Sequence, residues 1–253
     1  MRPGTRGNVP AAGGTTRRPS PSSLPPALAA INAEVCDCGR CPRLVAYRER
    51  IASEKRRAYR ACDYWGRGVP GFGDPRARVL IIGLAPGAHG SNRTGRPFTG
   101  DSSGNFLYPV LFDTGFASQP TATARDDGLI LTGAYITAAV RCAPPHNKPS
   151  PHEIANCSAF LDRELAELGH VAVTVALGRI AFDAYLNHLK RRGVIVAKRD
   201  YRFAHGAHFA MPDGSILLAS YHPSNQNTNT GRLTREMLTA IFQRAAGLAA
   251  GEP

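Results

Sequence analysis

Four short apolar runs recur along the chain, each followed by a segment with helical spacing of its apolar residues. They are "RVLIIG" ending at Gly83, "AYITAAV" over 134–140, "VAVTVALG" over 171–178 and "SILLASYHP" ending at Pro223. Runs of this length without polar alternation are buried on both faces, and a parallel sheet sandwiched by helices is the arrangement that buries them so. The helical segments are "SSGNFLYPVLFDTGF", with Ser102 or Ser103 as its cap and Gly115 near its end, an amphipathic stretch from about Pro151, one through Lys190, and the closing "GRLTREMLTAIFQRAAGLA". Pro212-Asp213-Gly214 reads as the turn of a hairpin leading into the last strand. The expected fold is α/β: three layers, α/β/α, around a central, mainly parallel sheet of about four strands.

The first run empties into "GLAPGAHGSNRTGRPFTGD", residues 83–101, with five glycines. Ligands of open α/β sheets sit beyond the carboxyl ends of the strands, so this loop marks a candidate site. It lacks both G-x-G-x-x-G and a terminal Gly-Lys-Ser/Thr, which argues against a dinucleotide or a nucleoside triphosphate. The bland alternative is a long surface loop turned by its glycines and prolines.

Thirty-one Lys and Arg against nineteen Asp and Glu give a net charge of +12, which points to a polyanionic partner, nucleic acid or an acidic membrane surface. The first 70 residues hold thirteen of those basic residues and five acidic ones, so the amino-terminal third is the electropositive part. No apolar run reaches the ~18 residues of a membrane span and no apolar core of a secretory signal is present, so a cytoplasmic protein that does not span a membrane is expected. Residues 1–28, rich in Pro, Gly, Ser and Arg, read as a disordered basic tail, an inert tail or an organellar transit peptide being the alternatives, and residues 29–250 as one domain.

Six cysteines occur: Cys36, Cys38, Cys41, Cys62, Cys142 and Cys157. In a cytosolic chain a disulfide framework is disfavoured, leaving a metal site or plain buried thiols. Cys38 and Cys41 have C-x-x-C spacing ahead of a basic helical pattern; Cys142 and Cys157 are too far apart for a second zinc-ribbon knuckle. Four thiolates gathered in space would suit either zinc or an iron–sulfur cluster.

Three blocks carry a family resemblance that covers the chain from Cys36 to the last helix: "GLAPGAHGSNRTGRPFTGDSSG", "CGRC" with "VRCAPPHNKPSP…C", and "HPSNQNTNTGRL". On these the chain resembles a family 5 (type B) uracil-DNA glycosylase. It departs from family 4 at Leu84, where those enzymes carry an acid, and from the superfamily's His-Pro-Ser-Pro block at Asn225.

The resemblance implies an enzyme that flips a deaminated base out of double- or single-stranded DNA and hydrolyses its N-glycosidic bond, leaving an abasic site. The glycine-rich wall, Gly83, Ala85, Pro86, Gly87, Ala88 and His89, would then admit base and deoxyribose closely, with Phe98 stacking on the base; a core phenylalanine is the alternative. Bond cleavage builds positive charge on the sugar and negative charge on the leaving base. His222 resembles the histidine that donates to a uracil carbonyl oxygen. Asp101 is the carboxylate of the first block, suited to orienting water or stabilising the sugar cation, or else to capping a helix. Asn147 resembles a residue that positions water or base, though asparagine in a proline-rich turn is also a structural device. Asn225, Gln226, Asn227 and Arg232 are expected to contact DNA, the alternative for this block being a helix start capped by Asn229 or Thr230.

The resemblance further implies a [4Fe-4S] cluster on Cys38, Cys41, Cys142 and Cys157, with Cys36 and Cys62 left as ordinary thiols. Thr137-Ala138-Ala139 lacks the asparagine with which narrower uracil enzymes read the imide edge, so hypoxanthine should be accepted beside uracil. The loop has no lysine for a Schiff base, which implies a monofunctional glycosylase. A monomer is expected. The rival from another class is a non-catalytic iron–sulfur protein that binds nucleic acid or senses redox state.

Overall fold

The computed structural model describes residues 24–251. Helix α1 (Pro26–Asp37) buries Leu28, Ile31 and Val35, so the last residues of the segment expected to be a tail are helical; residues 1–23 of that expectation lie outside the described residues. Helix α2 (Pro42–Glu54) is the basic helix after the C-x-x-C spacing. Then come β1 (Phe72–Gly73), β2 (Val79–Gly83), the four-residue α3 (Ser91–Thr94), α4 (Ser102–Asp113), β3 (Ala134–Ala138), α5 (Pro151–Glu167), β4 (Val173–Leu177) and α6 (Arg179–Arg191). The chain closes with β5 (His208–Ala210), β6 (Ile216–Ser220), α7 (Asn225–Asn229) and α8 (Arg235–Ala250).

The six strands lie in the order β1-β3-β2-β4-β6-β5. The four long apolar runs are the parallel centre, and β1 and β5 are short antiparallel edges. β5 and β6 form the expected hairpin; β1 has no sequence signal because two residues are too few to show a period. Alternate residues of each central strand point to opposite layers. Val79, Ile81, Ile136, Val175 and Leu218 pack against α4 and α8, whereas Leu80, Ile82, Tyr135, Ala176 and Leu217 pack against α1, α5 and α6.

The chain leaves β2 for β3 on one side and then crosses to β4 on the other, so the order reverses beside β2. At such a reversal the flanking connections diverge and leave a crevice at the carboxyl ends of the strands. The glycine-rich loop emerges there.

Asp101, the alternative cap beside Ser102 and Ser103, caps α4, and Thr234 caps α8 in place of Asn229 or Thr230. The reason for the second is that residues 225–229 form a helical turn of their own, α7, in place of a loop. α5 starts as predicted, with a capping box in which Ser150 and Glu153 satisfy each other's backbone N–H.

Candidate active site

The loop after β2 is held from behind. Arg96, buried, makes paired bonds to Asp127 at 2.8 and 2.7 Å and a third to Thr99 at 2.9 Å. Burial opposes the Asp127 charge, but Arg96 and three backbone N–H groups outweigh it and hold the carboxyl well below the usual range. The Tyr108 hydroxyl donates to the Pro97 carbonyl at 2.8 Å. These ties force Phe98 into a positive φ of 51°, a conformation costly for a non-glycine residue. Its carbonyl then runs where a side chain at position 104 would stand: a Cβ on Gly104 would lie 1.8 Å from that oxygen.

Two loop glycines are explained by a neighbour the sequence did not indicate. A Cβ on Gly90 would lie 1.9 Å from Asp101 Oδ2, and one on Gly87 2.8 Å from the same atom. A Cβ on Gly83 would meet the Phe98 ring at 2.9 Å. The side chains are therefore cleared for the protein's own carboxylate and ring, where the sequence reading had an incoming base and sugar. Asp101 Oδ1 meanwhile accepts from the Gly104 N–H at 3.0 Å. Burial raises the Asp101 pKa, the Gly104 and Ser103 N–H groups and the Arg93 charge pulling less strongly the other way.

His222 stands just past β6. Its carbonyl takes the Asn227 amide and the Ser224 N–H, each at 2.8 Å, which fixes the backbone that presents the ring. Burial pushes its pKa down to about 4, so the imidazole is neutral near pH 7 and one ring nitrogen carries a proton to donate. The ring lies 5.9 Å from Phe98, centroid to centroid, tilted by 31°. Phe98 belongs to the core and to the site together, since it packs with the α4 side of the sheet while lining the cleft.

A cleft of about 880 Å³ gathers most of the predicted residues: Gly83, Ala85, Pro86, Gly87, Ala88, His89, Phe98, Asp101, Asn147, His222, Asn225 and Gln226 all line it. Asn147 follows His146 in two successive left-handed residues, φ 56° and 55°, a turn that asparagine tolerates. His89 is bonded through Nδ1 to the Tyr64 hydroxyl at 3.0 Å. Asn227 and Arg232 do not line the cleft. The Asn227 amide is spent on the His222 carbonyl, and the Arg232 guanidinium sits 4.4 Å over the Tyr221 ring.

Tyr47, Arg56, Tyr59, Arg141 and Lys148 also line the cleft, and the sequence reading missed them. Arg141 is buried in an ion pair with Glu164, whose Oε2 also accepts from Thr137 at 2.7 Å. The basic run 55–60 was the available signal for Arg56 and Tyr59; nothing local marks Arg141, because its partner lies 23 residues away. Ala138, at the end of β3, presents no amide to the cleft.

Behind this floor, Cys41, Cys142 and Cys157 are buried together with Leu44 and Val140, and Cys38 is half-buried. Three N–H groups point at their sulfurs: Arg48 Nη1 to Cys142 at 2.8 Å, and the Arg141 backbone and Asn156 amide to Cys157 and Cys41, both at 3.5 Å. Burial raises Cys142, and pushes the Cys157 thiol up to about 12. Among the described residues no three His, Cys, Asp or Glu converge closely enough to hold a single metal ion.

Comparison with known proteins agrees with this architecture. A family profile for the uracil DNA glycosylase superfamily matches residues 70–246. The type-5 uracil-DNA glycosylase of Thermus thermophilus is 57% identical over 84% of this chain and 94% of its own length. That of Pyrobaculum aerophilum is 47% identical over 83% and 88%. A type-4 uracil-DNA glycosylase of Archaeoglobus fulgidus is 33% identical, over 47% of this chain and 52% of its own. With near-full-length identity to the type-5 proteins and only a partial match to type 4, the chain belongs to the uracil DNA glycosylase superfamily, among the type-5 uracil-DNA glycosylases.

Proposed function

We propose that the protein is a DNA-repair hydrolase that extrudes uracil from DNA and cleaves its N-glycosidic bond. The observation that carries the chemistry is one cleft lined by a half-buried carboxylate, a half-buried neutral imidazole and an aromatic ring. The extruded base lies against Phe98. As the bond from C1′ to the base nitrogen breaks, its electron pair leaves with the base, and the His222 N–H stabilises the charge gathering on a carbonyl oxygen. Asp101 stabilises the cationic sugar and orients a water, which attacks C1′ and passes a proton to the carboxylate. Asn147 holds base or water. The glycine-rich loop itself carries no lysine to form a Schiff base, which favours an abasic site as the product; Lys148 lines the same cleft from the opposite connection.

The finer points rest on separate supports. Ala138 offers no imide reader, which favours acceptance of hypoxanthine beside uracil. Asn225 and Gln226 line the cleft and suit contacts with the strand. A [4Fe-4S] cluster on Cys38, Cys41, Cys142 and Cys157 fits one half-buried and three buried thiols, the three buried ones each receiving an N–H donor, beside a buried arginine, Arg48, whose Nε is unpartnered. Such a cluster, held by these four residues, would clip the basic segment to the sheet edge and would supply a structural tie, not a group for the chemistry. Every group invoked comes from one chain, so a monomer suffices. Among the described residues no helix is long and apolar enough to cross a membrane, and work on cytosolic DNA is the setting proposed.

The test is incubation with duplexes bearing one uracil, one hypoxanthine or normal bases only, followed by alkali to cut at abasic sites. Cleavage at uracil alone or at both lesions supports the reading. Binding without cleavage of any substrate would favour the rival, a non-catalytic DNA-binding protein, for which a paired Asp101 and His222 have no use.

A further inference from the structure

The segment between α2 and β1 has no role in the chemistry above, yet it borders the cleft. Lys55, at a positive φ of 50°, ends α2 and turns the chain toward the glycine-rich loop. Residues 55–67 carry five basic side chains and one acidic one. Arg50 and Arg67, flanking the turn, are paired with Glu54 and Asp37, but Arg56, Arg57 and Arg60 are exposed and have no carboxylate partner among the described residues.

Tyr59 is half-buried at the centre of this turn and lines the cleft together with Arg56 and Tyr47. Its support is rigid. Arg93 donates to the His89 and Gly100 carbonyls, both at 2.9 Å, and is thereby fixed with its guanidinium carbon 4.2 Å over the Tyr59 ring. Trp65 and Gly66 tie the far end of the segment to the Arg93 and Asn92 carbonyls at 2.9 and 3.0 Å. Arg56 and Arg93 lie close enough to His89 to help burial hold its pKa down, which places both charges at the same rim.

We infer that residues 55–64 form a binding bank for the single strand beside the extruded nucleotide, with Tyr59 stacking on a neighbouring base and Arg56, Arg57 and Arg60 neutralising phosphates. The inference rests on the glycosylase reading for the place of the extruded nucleotide. Removing one nucleotide from a stack leaves the next base without a partner, and in a single strand no complement holds it. An aromatic ring already backed by a guanidinium replaces that partner at little ordering cost and without regard to sequence. Three unpaired guanidinium groups on the same turn suit the flanking backbone.

The test uses the full chain and an undamaged oligothymidylate of about 15 nucleotides, within the span of ordinary single-strand sites, followed by fluorescence anisotropy. Tyr59→Ala should weaken binding about ten-fold, while Tyr59→Phe and Tyr59→Trp keep it, because stacking needs the ring and not the hydroxyl. Replacing Arg56, Arg57 and Arg60 together by Gln should reduce the slope of log K against log salt by about 2, at about 0.7 per lost phosphate contact. Unchanged affinity in Tyr59→Ala, or an equal loss in Tyr59→Phe, overturns the stacking bank. Uracil excision from an oligothymidylate of the same length carrying one central uracil separates the two readings. Wild type that binds with this Tyr59 dependence but excises nothing keeps the bank and sinks the glycosylase; wild type that excises while Tyr59→Ala binds normally does the reverse.

Discussion

Replacing Asp101 by Asn separates the two jobs this carboxylate holds. Oδ1 caps α4 through the Gly104 N–H at 3.0 Å, and Oδ2 occupies the space that Gly87 and Gly90 leave open. Asparagine caps a helix about as well as aspartate, so the cap survives, whereas Asp101→Ala loses it at about 1 kcal/mol. The amide has no charge to stabilise a sugar cation and cannot take a proton from water. Single-turnover excision of uracil should therefore fall about 10²-fold or more, equivalent to about 2.7 kcal/mol of transition-state stabilisation. Stability should move the other way. Burial raises the folded pKa of Asp101 above its ordinary 3.8, so between 3.8 and the folded value the folded state holds a proton that the unfolded chain has released, and above both the carboxylate is ionised. Wild-type stability from this group is full below that value and is lost as pH rises toward the folded pKa. Asp101→Asn, which never ionises, should match or exceed wild type in urea midpoint at pH 7 and lose that advantage below 3.8. Stopped single-turnover kinetics and urea titrations on the same preparations test both halves. Excision at the wild-type rate in Asp101→Asn would refute the catalytic role and leave a helix cap alone.

His222 titrates near 4 in the folded state against 6.5 when free, so it contributes stability that is full above pH 6.5 and is lost as pH falls toward 4; His222→Phe should flatten thermal stability across that window. The same variant should slow excision by about 10²-fold while duplex affinity, set mostly by phosphate contacts, changes little. Gly90→Ala should cripple excision, because its Cβ would stand 1.9 Å from Asp101 Oδ2 and must displace the carboxylate; a normal rate would show that the carboxylate's position is unimportant. Cys142→Ala and Cys157→Ala should abolish brown colour and iron content where Cys36→Ala and Cys62→Ala keep both, and colourless, iron-free wild type prepared without oxygen would end the cluster reading. Ala138→Asn should raise the ratio of uracil to hypoxanthine excision by restoring an imide reader, and an unchanged ratio counts against the selectivity reading.

The sequence by itself determined the parallel centre of the sheet, because four runs buried on both faces leave no other packing for their apolar surface. It also marked the crevice, since a glycine-rich loop after a buried strand is a local signal, and the start of α5, where Ser150, Pro151 and Glu153 spell a cap. Only the tertiary structure decided why Gly87 and Gly90 are glycines: their neighbour, Asp101, returns to them across a loop whose path depends on the Arg96–Asp127 pair. It likewise set the Asn227 amide against the His222 carbonyl, and brought Tyr59 to the cleft on the guanidinium of Arg93. Strand burial and helix caps are written in neighbouring residues and can be read in order. The clearance around a carboxylate depends on side chains meeting through space, and those distances exist only once the chain has closed on itself.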